Sequence, residues 1–171
     1  VINACNAEKM STTLYAGKGT DGFLNDTANH HHYYSYKRYG NKVLTLLFFL
    51  LSQFHVFIKL LKYRRNDVVI YVNTMLPFGA ALAGKLMNKE VIYHVHEISV
   101  SPELFKSLLR KVVAWTASKV VFVSNSVLRS ETFHLANEKV VFNALSNEFL
   151  KEAEDTNYLN KLDNSKFIVL M

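Results

Sequence analysis

The stretch VIYHVHEISVSPE (91–103) sets His94, His96 and Glu97 within four positions. Residues two apart on a strand share a face, so the two imidazoles are expected side by side. Paired imidazoles can ligate a metal. A single imidazole beside a carboxylate can instead hold or move a proton near neutral pH.

Metal chemistry lacks its remaining ligands. Zinc takes three or four protein ligands with an oriented second layer of partners. The other histidine cluster, His30-His31-His32, consists of adjacent residues in a polar stretch, and Cys5 is the single cysteine. HVHE also differs from the helical H-E-x-x-H pattern. No metal site is therefore expected, and His96-Glu97 at the end of its strand becomes the more capable pair, with His94 packed beneath. Other signatures fail on spacing. AGKGT (16–20) is not a P-loop, no G-x-G-x-x-G follows a strand, and Ser124 lacks the G-x-S-x-G elbow.

The elements that must position these residues are legible in the second half. Apolar, β-branched runs at 67–74, 90–97, 119–125 and 138–144 predict strands. Between them, 77–89 opens on Pro77, 101–119 opens on Ser101-Pro102, and 126–136 also has helical character. Strand and helix thus alternate, and the strands are apolar throughout, as in parallel sheets covered on both faces. The predicted class is α/β, a Rossmann-like three-layer sandwich with a mostly parallel sheet. The first third predicts the end of a helix over 1–10, a strand through Tyr15 followed by a glycine loop, and irregular structure over 27–41.

Ligands of such sheets bind beyond the carboxyl ends of the strands. Here those ends are Asn73-Thr74, His96-Glu97, Ser124-Asn125 and Asn143. They form an expected polar rim where a ligand could be held, and His96-Glu97 is its most chemically capable pair, beside Asn73, Ser124, Asn125 and Asn143.

The most hydrophobic segment is KVLTLLFFLLSQFHVFIKLLKYRR (42–65). Ser52, Gln53, His55 and Lys59 interrupt it, which argues against a membrane span. A helix packed on the sheet by one side is the first expectation. The second is a helix that also touches a membrane, with Lys59, Lys62, Arg64 and Arg65 meeting anionic headgroups. A basic helix end also complements the helix dipole without any membrane.

Of 171 residues, half are hydrophobic and 20% charged, with only 2 Pro and 6 Gly. That composition excludes disorder and collagen-like structure. The net charge of +6 favours an anionic partner. Scattered Lys and Arg, with aromatics inside apolar runs, form no nucleic-acid module. One cysteine excludes an internal disulfide and fits a reducing, cytoplasmic setting. The chain begins at Val1 and ends on KFIVLM, so both ends look cut. Residues 1–147 are expected to form one domain, and 148–171 a linker and the first strand of a second.

DVVIYVNTMLPFGAALAGKLMNKEVIYHVHEISVSP, SKVVFVSNSV and KVVFNALSNEFL together resemble the amino-terminal domain of glycosyltransferase family 4. The likeness covers residues 67 to 150 best and rests on the order of short motifs. It implies one half of a GT-B fold, the acceptor-side wall of a cleft. The implied reaction moves a sugar from a nucleotide-sugar to a cell-surface polysaccharide or lipid-linked acceptor with retention. The family usually needs no metal or other cofactor, and the nucleotide-sugar is bound mainly by a second domain. On this resemblance His96 faces the transferred sugar, Glu97 is its acidic neighbour, Ser124 the strand-end serine and Asn143 the turn asparagine. Phe142 stands where the family has Pro, and Ala144-Leu145 replaces Gly-Val. The implied location is cytoplasmic, peripheral on the inner face of the cell membrane. Two other readings stay open: a non-enzymatic binding module for a phosphorylated ligand, and a sugar-nucleotide hydrolase or epimerase.

Overall fold

The computed structural model describes residues 2–17, 28–35, 39–96, 100–143 and 151. The chain divides into two units, Val1–Val141 and Phe142–Met171, and the elements below belong to the first. They are α1 (Ile2–Ala7), β1 (Thr13–Gly17), β2 (His30–Tyr34), α2 (Lys42–Leu60), β3 (Val69–Asn73), α3 (Phe78–Leu86), β4 (Glu90–Val95), α4 (Glu103–Thr116), β5 (Lys119–Phe122), α5 (Asn125–Glu131) and β6 (Glu138–Val140). A 3-10 turn, Leu61–Arg65, continues α2.

Every strand pairing is parallel. β1 pairs with β2, and the other four strands run in the order β3-β4-β5-β6. The expected α/β class with a Rossmann-like parallel sheet is the fold adopted. β2 is an addition. HHHYY shows no apolar alternation, yet Thr13 through Gly17 align with His30 through Tyr34. Backbone pairing makes this strand, and Asn29 Oδ1 fixes its start by accepting from the Thr12 amide at 2.8 Å.

The strands are not buried on both faces as expected. In β3 and β4 burial alternates: Ile70, Val72, Val91, Tyr93 and Val95 are buried, while Val69, Tyr71, Ile92 and His94 are exposed or half-buried. The covering layer is α2, α3 and α4, each beside the next. α3 comes close enough to the sheet that a Cβ on Gly84 would meet Val91 at 2.6 Å and Ile70 at 3.1 Å. Val69, Tyr71 and Ile92 face the other way, so apolar side chains on the open face hide the alternation from the sequence.

Helix starts differ in detail. Pro102, not Ser101, occupies the cap position of α4 and offers no side-chain acceptor. Ser124 caps α5, accepting from the Val127 amide at 3.2 Å. At its other end α5 is tied to α4 through Glu131, which is fully buried between Lys106 and Arg110, each 2.6 Å away. A carboxylate without solvent must be held by charged donors, and two cations of one helix do so.

α2 departs most from expectation. Its buried residues are Ser52, Gln53, Val56 and Leu60, so two of the residues that interrupt the apolar run face inward. Ser52 Oγ donates to the Phe49 carbonyl at 2.6 Å, and Gln53 Oε1 accepts from the Gly79 amide at 3.2 Å. Glycine is required there, because a Cβ on Gly79 would lie 2.1 Å from the Gln53 carbonyl oxygen.

Candidate functional site

Two strand ends bring four polar side chains together. Tyr71 and Asn73 alternate on β3, His94 lies on β4 with His96 just past its end, and Asn73 is the register partner of His94. All four project from the sheet face opposite α3. Nε2 of His96 lies 2.8 Å from Oδ1 of Asn73, and Nδ1 of His94 lies 2.7 Å from the Tyr71 hydroxyl. The two imidazole centroids are 4.2 Å apart, tilted by 51°.

These bonds set the protons. An amide oxygen only accepts, so Nε2 of His96 carries hydrogen toward Asn73. Nδ1 of His96 is then the ring nitrogen left to face an incoming hydroxyl. Burial raises the Tyr71 hydroxyl pKa, with the nearby Cys5 thiol adding to it, so Tyr71 remains a donor. Burial, then the neighbouring His96, holds His94 below the ordinary histidine value. Its Nε2 is buried with no hydrogen-bond partner. His94 is thus a neutral ring packed beside His96, as expected, but also a member of the polar row.

The turn after β3 is bent toward this row. Thr74 has φ of 78°, an uncommon region for a β-branched residue and a marker of functional corners. Its amide donates to the His94 carbonyl at 2.8 Å, and its hydroxyl accepts from the Leu76 amide at 3.2 Å. Further along, Tyr34, Phe49, Ser52, Gln53, Leu76 and Pro77 line a mainly apolar hollow.

Among the expected site residues, Asn73 and His96 are in contact. Ser124 lies one strand over, beyond Val123, whose amide donates to the Val95 carbonyl at 3.3 Å. Its hydroxyl oxygen is engaged in capping, and Asn125 is exposed on the first turn of α5. Asn143 is exposed in the second unit. Glu97 falls outside the described residues, as do most of the expected glycine loop and linker. Lys59, Lys62, Arg64 and Arg65 are all exposed. Lys62 Nζ lies 3.3 Å from His32 Nε2 and 4.8 Å from the Tyr63 ring centroid. Among the described residues, no group of three or more His, Cys, Asp or Glu is placed to hold a metal ion.

Tyr71 is the member that motif reading passed over. The signal was available, since Tyr71 and Asn73 repeat on β3 the two-residue spacing of His94 and His96. No family model, curated protein or solved structure matches the chain.

Proposed function

We propose that this chain is the acceptor-side domain of a glycosyltransferase that moves a sugar from a nucleotide-sugar to a polysaccharide or lipid-linked acceptor. The observation that carries the reading is His96 at the carboxyl end of β4, held by Asn73 at the end of β3. A histidine fixed through Nε2 presents Nδ1 to a sugar hydroxyl in one orientation, and preorganised hydrogen bonds of this kind strengthen as charge develops. In the transfer, the bond from the anomeric carbon to the nucleotide's phosphate oxygen breaks. A bond to the acceptor oxygen forms, and the acceptor's proton leaves with the phosphate. The donor would be held mainly by a second domain. The apolar hollow between Tyr34 and Leu76 suits the non-sugar part of an acceptor.

The test is product analysis with the protein encoded by the whole reading frame, supplied with nucleotide-sugars with and without acceptor. Acceptor-dependent transfer is expected. His96→Ala should lower it by about 10²–10³-fold with the melting temperature nearly unchanged. Donor breakdown indifferent to acceptor, or a His96→Ala variant that transfers normally, overturns the reading. A variant that melts far lower makes His96 a packing residue instead.

A further inference from the structure

The described segment that packs least like a soluble core helix is α2. The whole segment Lys42–Arg65 is long and apolar enough to cross a bilayer, yet it is neither a core helix nor free of the protein. At 100° per residue, Val43, Leu47, Leu50, Leu51, Phe54 and Ile58 fall on one face, opposite buried Ser52, Gln53 and Val56. All six are exposed, Val43 by 73% and Phe54 by 63%. A soluble helix buries its apolar stripe and shows its polar one; α2 leaves an apolar stripe exposed while Ser52 and Gln53 are buried beside Val56 and Leu60.

We propose that this face is a landing surface for an anionic lipid bilayer, with α2 lying in the membrane plane. Two observations choose lipid as the occupant. The cations gather at one end of the apolar row, as Lys59, Lys62, Arg64 and Arg65, in a chain of net charge +6. One of them, Lys62, sits against the Tyr63 ring, and amphipathic tyrosine and lysine are suited to headgroup depth. The in-plane orientation follows from the buried side: Gln53 and Gly79 lock α2 to α3, so lipid can reach only the outward face. The inference stands apart from sugar transfer and is read without any donor or acceptor.

The test floats the whole chain with vesicles of phosphatidylcholine mixed with phosphatidylglycerol, and with phosphatidylcholine alone. Binding is expected on the mixed vesicles, released by salt and by alkaline carbonate. Lys59→Gln, Lys62→Gln, Arg64→Gln and Arg65→Gln should each weaken partitioning about fivefold. Leu50→Glu with Phe54→Glu should abolish it while circular dichroism and melting stay unchanged, since neither side chain is buried. No flotation, equal binding to neutral vesicles, or indifference to the glutamate pair overturns the proposal. Carbonate-resistant binding assigns a span and overturns it as well. A lipid-free dimer dissolved by the same pair gives the face to a second copy.

Discussion

At the residue scale, the polar row is two cross-strand pairs sharing one face. Tyr71 holds His94 and Asn73 holds His96. Removing the Tyr71 hydroxyl leaves Nδ1 of His94 without its partner, on a ring whose Nε2 already has none. Tyr71→Phe should therefore cost about 0.5–1.5 kcal/mol, read as a lower urea midpoint at unchanged slope. An unaltered midpoint would show that water replaces the hydroxyl there. The strand-end position of His96 was legible, because a buried run that breaks into polar residues marks the end of a strand. The Asn73 contact was not, since it depends on register between strands 23 positions apart in sequence.

At the element scale, the parallel strands and their connecting helices could be read from alternating apolar runs and from the prolines that open α3 and α4. Two elements could not. β2 has no period because pairing with β1, rather than burial of a face, makes it a strand. The inward face of α2 could not be read, because nothing local tells a serine and glutamine pair that interrupts an apolar run from one chosen to face another helix. The Gly79 crossing makes that orientation testable. Gly79→Ala places a methyl against the Gln53 backbone, which cannot swing aside. A loss of about 1–3 kcal/mol is expected, measured by denaturant titration. Gly84→Ala should lose less, because its nearest neighbours are the side chains of Val91 and Ile70.

At the scale of the whole molecule, two histidines set an acid limit. His94 is held below its ordinary value by burial and His96, and His32 by burial and then Lys62, Lys59 and His30. Above about pH 6.5 both are neutral, folded or unfolded. As pH falls below that value the unfolded chain takes up protons first, so stability declines until the folded histidines also titrate. Urea midpoints should drop between about pH 7 and pH 5, less so in a His94→Gln variant; a midpoint that rises on acidification contradicts this. The inverted packing of α2 has a practical consequence. Its grip on α3 comes from the Gln53–Gly79 crossing and the edge-on Phe49–Phe78 contact, whereas its stickiness comes from Val43, Leu47, Leu50, Leu51, Phe54 and Ile58. Folding and handling in water are thus governed by different residues. Surface redesign of those six positions gives a route to concentrated, detergent-free samples with the strand-end row left intact.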